Sequence, residues 1–287
     1  MPSSPANETS RSGQTGPGRL GPAGCDGGQP EVPLRGGIAN QGLVFRVGET
    51  VRRPLRPTSS ATHALLRHLA EVGFDGAPRS VGVDPQGREV LSYIPGDAVV
   101  QPYPSWALTD EAIVSVAGLL RRYHKAVSTF DPTPHTWPES PPPPFSTGLV
   151  CHNDPNLDNV VFRDGEAVAL IDFDLASPGS RLWDVAAAAR LWAPLRRDAD
   201  IEDARRGRAL GRFRLFVSAY GLARADRDRL VDAVICNHDW LYGIVSRGAE
   251  DGNPGFVDYW RGGAAARAGR TRQWYVRNAH LLRAALE

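Results

Sequence analysis

Hydrophobic and polar positions change texture at Pro33. In "LRGGIANQGLVFRVGETVRRPLRP" a Gly-rich turn precedes a strand at Leu43–Val47, a turn at Gly48 and a second strand near Thr50–Arg53. "SSATHALLRHLAEVGF" switches to helical spacing: Leu65, Leu66 and Leu69 form the stripe, Ser59 or Ser60 supplies a cap, and Gly73 ends it. "SVGVDPQGREVLSYIPG" reads as two strands around a Pro-Gln-Gly turn, so β-β-α-β-β builds a small antiparallel sheet with one helix. Beyond Gly96 helical periodicity dominates. Residues 109–130 open with a Thr or Asp cap and set Ile113, Val116, Leu119, Leu120 and Tyr123 on one face. "WPESPPPPF" (137–145) is an extended connector, and helices are expected near 181–192, 202–220, 226–247 and 271–286. The fold class is α+β, a lobe over 34–96 followed by a larger helical lobe over 97–287.

Composition adds bounds. Residues 1–33 hold seven Gly, six Pro and no aromatic residue. Such a segment cannot offset its ordering entropy by burial and is expected to be a disordered tail. A formal net charge of +1 argues against a nucleic-acid partner. No apolar run reaches the roughly 18 residues of a membrane span, and the start lacks the apolar core of a secretory signal. Three scattered cysteines (Cys25, Cys151 and Cys236) suit a reduced, cytoplasmic setting. Nothing in the pattern specifies an oligomeric state. Lys125 is the sole lysine among 33 basic residues, so work usually given to lysine falls to arginine.

One stretch resists the apolar logic. "LVCHNDPNLDNVVFRDGEAVALIDFDLASPG" (149–179) places carboxylates and amides beside its most strand-like runs. Asp164-Gly165 is a two-residue hairpin turn. Centring the strands on it sets Arg163 against Glu166 and Asn159 against Leu170, with Asp172 the diagonal neighbour of Asn159 on the same face. At roughly 7–8 Å between backbones, an amide oxygen and a carboxylate can lean onto one ion. Oxygen donors of this kind suit Mg²⁺, which keeps waters and takes substrate phosphates. Asp154, in the loop entering the hairpin, is placed to accept a proton from a hydroxyl nucleophile. His152, grouped with it as the catalytic pair, holds that loop by hydrogen bonding. Singly, each residue suits a solvated turn; H-x-D-x-x-x-x-N followed by I-D-F-D is hard to obtain by chance.

"HNDPNLDN" followed by "ALIDFD" resembles the catalytic core of the aminoglycoside phosphotransferase and choline-kinase-like superfamily, relatives of the protein kinases. By element order the resemblance covers 34–287. It implies a two-lobed protein-kinase-like fold with ATP (or GTP) and Mg²⁺ between the lobes. The implied reaction moves the γ-phosphoryl group to a hydroxyl of a small molecule, an aminoglycoside-like antibiotic or a metabolite. Asp154 would be the base, Asn159 and Asp172 metal ligands, and Asp174 a further metal contact.

Three departures accompany the resemblance. The phosphate-anchoring lysine has no counterpart; Arg52 occupies the matching place, with Arg53 the alternative, and arginine can grip phosphate bidentately. The following helix offers Ala61-Thr62-His63 and no acid until Glu71, which motivates an alternative: a kinase-like binding or immunity protein with weak or lost turnover. The Gly-rich turn is loose, with Gly36, Gly37 and Gly42 available to approach phosphate. Tyr93 and Ile94 in "LSYIPG" would carry the adenine-facing amides. For the acceptor, Asp184, Glu250, Asp251 and Asp258 could give an acidic pocket. Trp240, Tyr242, Trp260 and Trp274 could line an aromatic one, although core packing is the better expectation for most of them.

Overall fold

Antiparallel pairing organises the strands between Glu31 and Ser92 in the computed structural model, which describes residues 29–34, 42–146 and 148–287. Strands β1 (Glu31–Pro33), β2 (Phe45–Val47), β3 (Thr50–Pro54), β4 (Ser80–Val83) and β5 (Arg88–Ser92) form one sheet in the order β1-β2-β3-β5-β4. β1 lies inside the stretch whose composition suggested a tail; it adds an exposed edge to β2, tied by Arg88 to Glu31 at 2.7 Å. Residues 31–287 form one compact unit apart from Met1–Pro30, of which Gln29 and Pro30 are exposed.

Helix α1 (Ser59–Glu71) buries Leu65, Leu66 and Leu69, as its stripe requires. Its cap differs from expectation. Thr58 stands at the N-cap without a side-chain bond, and Ser59 Oγ instead accepts from the N–H of Arg56 at 2.9 Å. Gly73, at φ +76°, takes the left-handed turn that ends the helix. Helix α2 (Asp110–Val127) is capped by Thr109, whose hydroxyl accepts from the Ala112 N–H, and buries the whole predicted face from Ile113 to Tyr123.

The acidic segment supplies β7 (Val150–Cys151), the hairpin β8 (Val160–Arg163) with β9 (Glu166–Leu170), and β10 (Ser177–Pro178), which returns to β7. β6 (Asp97–Ala98) joins the far side of β8. Asp164 and Gly165 adopt φ +52° and +81°, the two left-handed residues that the turn needs. Near the turn Arg163 faces Glu166 as expected; a bulge between Val161 and Phe162 then shifts the register. Val160 therefore faces Leu170, and the carbonyl of Asn159 accepts from the N–H of Ile171 at 2.9 Å. Asn159 is thus opposite Ile171, one residue from the predicted partner.

Helices α3 (Arg181–Trp192), α4 (Ala209–Tyr220), α5 (Arg224–Glu250), α6 (Pro254–Tyr259) and α7 (Ala265–Ala284) complete the chain. α3 is buried almost all round, its alanines 186–189 letting α4 and α5 approach closely. The helix expected from 202 begins only at Ala209, because Arg205 folds back onto Asp203 through two nitrogens at 2.9 and 2.7 Å. α7 starts six residues early, after a kink at Gly262 and Gly263.

Candidate active site

Buried bonds to main-chain groups shape the loop that carries Asp154. Asp184, from the first turn of α3, accepts the backbone N–H groups of His152 and Asn153 at 2.8 and 2.9 Å, and its Oδ2 also meets His124 Nε2 at 3.0 Å. Burial alone would push the Asp184 carboxyl up; the His124 hydrogen bond and neighbouring charge outweigh it and hold the carboxyl below its ordinary value. Asn153 takes φ +67° and donates to Leu175 O and Ser177 Oγ, fixing the bend just before Asp154. Trp192 Nε1 clamps the other side through Pro155 O at 3.0 Å.

His152 sits behind this loop. Its Nε2 donates to the carbonyl of Ile171 at 3.0 Å, it is fully buried, and it lines none of the clefts. Its grouping as a catalytic residue is therefore corrected: it is a positioning residue that ties the Asp154 loop to the strand leading into Asp172. Asp184, weighed as an acceptor-pocket acid, serves this same scaffold.

Asn159 and Asp172 face one cleft despite the register shift. Asp172 adopts φ +61° and ψ 69°, a left-handed conformation rare for a residue with Cβ, and this turn re-aims its carboxylate. Asn159 Nδ2 donates to both Asp154 Oδ2 and Asp154 O at 3.0 Å, leaving its Oδ1 as the acceptor. Asp154 is pushed up to about 7, by burial first and then by the charges of Asp158 and Asp172, against Arg190 and the Asn159 bond. Burial and Asp174 likewise raise Asp172, against Arg53.

Strand parity settles which arginine enters the cleft. Arg53 shares a face with Val51, whereas Arg52 turns away to Thr50 Oγ1 and Asp84 at 2.6 and 3.6 Å. Of the two candidates for the anchor, Arg53 lines the cleft and Arg52 does not. Three Arg53 nitrogens reach three carboxylates: Nε to Glu89 at 2.7 Å, Nη1 to Asp172 at 2.9 Å and Nη2 to Asp174 at 2.9 Å. Glu89 sits directly across the sheet from Arg53 and meets His63 Nε2 at 2.8 Å. The acid missing from helix α1 thus comes from β5, and the helix contributes His63 to hold it. Arg56 adds a second bond to Asp174, at 2.6 Å.

Two cavities meet at these residues. One, of about 360 Å³, lies between the sheet and the hairpin with apolar walls including Val44, Val51, Leu91, Val161 and Ile171. Tyr93 and Ile94 line it; the Tyr93 N–H is already donated to Glu49 O at 2.9 Å, which corrects its expected role as an amide donor. Gly42, at φ +76°, is not among the residues lining this cavity, and Gly36 and Gly37 lie outside the described residues. The second cavity, about 280 Å³, contains Asp154, Asp174 and Arg190 and is walled by α5 and α6 through Leu241, Tyr242, Ile244 and Phe256. Asp158, Asn159 and Asp172 line both. Glu250, Asp251 and Asp258 are exposed and outside the second cavity, and Trp240 packs on Trp183 in the core.

Comparison with known proteins adds to this geometry. A family model described as the phosphotransferase enzyme family matches residues 134–220, spanning the Asp154 loop, the hairpin and Asp172. A trifolitoxin immunity protein of Rhizobium leguminosarum bv. trifolii is 33% identical over 270 residues, covering 89% of this chain and 98% of the relative. The chain belongs to the phosphotransferase enzyme family. Its fold is the protein-kinase-like one of that superfamily. A choline/ethanolamine kinase family protein from Mesorhizobium loti superposes with a TM-score of 0.54 at 22% identity, covering 92% of this chain and 94% of that one. The GDP complex of an aminoglycoside 2'-phosphotransferase-IIIa gives 0.58 at 14% identity, covering 87% and 93%.

Asp158, Glu89, His63, Arg56 and Arg190 were not predicted as site residues. Asp158, beside Asn159 in the motif, was visible; the others required the register of the sheet or the packing of α3. Among the described residues no cluster of three or more His, Cys, Asp or Glu could hold a metal ion. What the cleft offers is the Asn159 oxygen, the Asp172 carboxylate and a buried Asp158 Oδ1 without a hydrogen-bond partner. So few oxygens, with the remaining positions left to water and phosphate, fit Mg²⁺ better than an all-protein cage.

Proposed function

We propose that this protein is a Mg²⁺-dependent phosphotransferase that moves the γ-phosphoryl group of ATP (or GTP) to a hydroxyl of a small molecule. One observation carries the reading: a nucleotide-sized apolar cavity and a second, mixed cavity share Asp158, Asn159 and Asp172, with Asp154 on the second side only. The base of the nucleotide would lie among Val51, Leu91, Tyr93 and Ile94, and Arg53 is the cation available to its phosphates. Asn159 and Asp172 would hold Mg²⁺, which supplies charge neutralisation on the phosphate oxygens when bound. Asp154, oriented by Asn159, accepts the acceptor's proton as its oxygen attacks. Asp184 and His152 keep that carboxylate in place. A cytoplasmic setting belongs to this reading, and the thiols of Cys151 and Cys236 are free.

A second reading has specific support. The relative named as an immunity protein favours a chain that binds a toxic molecule without turning it over, and the Arg53 ion pairs occupy both metal-side carboxylates. The test is a thermal shift with ATP or GTP and Mg²⁺, followed by ADP release across amino sugars, macrolides, choline and hydroxy acids. Turnover that disappears in Asp154→Ala supports the enzyme. Tight acceptor binding with no turnover supports the second reading.

A further inference from the structure

The acceptor cavity is not built like one for a polycation. Asp154, Asp158, Asp172 and Asp174 line it, but so do Arg56 and Arg190, and the Arg190 charge reaches Asp154. Arg190 is only 7% exposed, and its Nε donates to Asn237 Oδ1 at 2.7 Å. Its Nη2 is buried with no hydrogen-bond partner, although its charge is felt at Asp154. A buried guanidinium nitrogen left unmatched is costly, and a ligand anion is the partner that would satisfy it.

A smaller cavity of about 80 Å³ also opens onto Arg190 and shares Asn156, Leu191 and Tyr242 with the larger one. Arginines 190, 196 and 205 line it together with His238, and no Asp or Glu does. Arg205 is neutralised by Asp203 at 2.7 Å, but Arg196 Nε is buried without a partner. His238 stays uncharged, because burial and then Arg190 push it down to about 4. Net positive charge therefore resides on Arg190 and Arg196. At this size the recess suits one group of a ligand; whole small-molecule sites run to roughly 300–1,000 Å³.

Resting on the phosphotransferase reading, we propose that the acceptor is a hydroxylated carboxylate. Its acid group docks on Arg190 and Arg196 while its hydroxyl lies at Asp154. Guanidinium groups present paired donors in the plane a carboxylate needs. The hydroxyl oxygen forms the new bond to the γ-phosphorus and its proton passes to Asp154. The bond from that phosphorus to the bridging oxygen breaks, and ADP leaves with the electron pair. The apolar wall of Leu241, Ile244, Val245 and Phe256 takes the carbon skeleton between the two polar ends.

The test uses the full chain with a series of ω-hydroxy acids from 3-hydroxypropionate to 6-hydroxyhexanoate, each beside its own carboxamide, and kanamycin as a polycation. ADP release and the shift in Tm are read at saturating ATP and Mg²⁺. At least one acid should act at a concentration about tenfold below its amide, the worth of one charged hydrogen bond. Arg196→Gln should erase that difference and Arg190→Lys should reduce it; the first variant does not disturb the buried Asn237 bond. Equal effects of acid and amide across the series, including none from either, overturn the proposal, as does a preference for kanamycin. The Tm shift with Mg²⁺ and ATP or GTP alone separates the two claims: its absence with both nucleotides sinks the phosphotransferase reading, its presence without acid preference sinks only the anionic acceptor.

Discussion

Arg53→Lys restores the residue type the resemblance leads one to expect, yet it should damage this protein. The guanidinium meets Glu89, Asp172 and Asp174 through separate nitrogens at 2.7, 2.9 and 2.9 Å, and a single ammonium cannot span all three. Asp172 and Asp174 have side chains 26% and 13% exposed, so they partly regain hydration, and Asp174 keeps Arg56. Glu89 is 1% exposed and would be left with His63 alone. A charged hydrogen bond lost at a buried site costs about 1.5–3 kcal/mol. The contacts to the partly exposed Asp172 and Asp174 add up to about 1 kcal/mol each. The sum is about 3 kcal/mol, or ~6–12 °C in Tm for a domain of this size. Thermal melts followed by circular dichroism, with and without ATP and Mg²⁺, measure it. The ATP-induced shift should also shrink, because one ammonium lacks the paired donors with which a guanidinium grips phosphate. A variant with wild-type Tm and an undiminished ATP shift would refute the claim that the arginine fork holds the cleft together.

Three further outcomes are expected. Asp154→Asn should lower transfer by at least ~10²-fold; in metal-free protein at pH 8 it should melt above wild type, because a carboxylate raised to about 7 destabilises the fold as pH climbs through that value. That gain should vanish below the ordinary carboxylate pKa, as melts at pH 3.5 and 8 would reveal. Asp184, held low, contributes stability that is present above its ordinary value and lost as pH falls through its folded one. Asp184→Asn should therefore cost about 3 kcal/mol near pH 7 and flatten the acid limb of the Tm profile. Gly96→Ala puts a Cβ 2.4 Å from Phe162 O at φ +148°, and should cost about 1–3 kcal/mol while raising the ATP KM, since Gly96 lines the cavity proposed for the nucleotide.

Where the sequence spoke through local physics it was readable. Asp164-Gly165 needed two left-handed residues, Thr109 offered a hydroxyl at the right offset, and both features stand in the structure. α3 matched its predicted bounds because Ser180 caps it and an alanine run suits a helix buried on all sides. Misses arise where a decision belongs to a partner element. The bulge between Val161 and Phe162 carries no Gly or Pro to announce it. Helix 202–220 lost its first seven residues, about two turns, around the Arg205–Asp203 fork, which competes with backbone bonding.

The choice between Arg52 and Arg53 could have been settled by parity. Val51 is apolar and Arg53 lies two residues on, so both share the face that the cleft requires. The absent helix acid is a different kind of miss. An acid on α1 would pair with the anchor across a gap that a helix can open or close. Glu89 is instead its cross-strand neighbour in the sheet, locked by register. Arg53 is thus held by the sheet itself, and α1 reaches its partner Glu89 through His63. His63→Ala should therefore lower stability while leaving Arg53 seated on Glu89, and the ATP-induced Tm shift should persist. Loss of that shift would mean the helix still controls the anchor, as it would if Glu89 were merely passing the helix's position along.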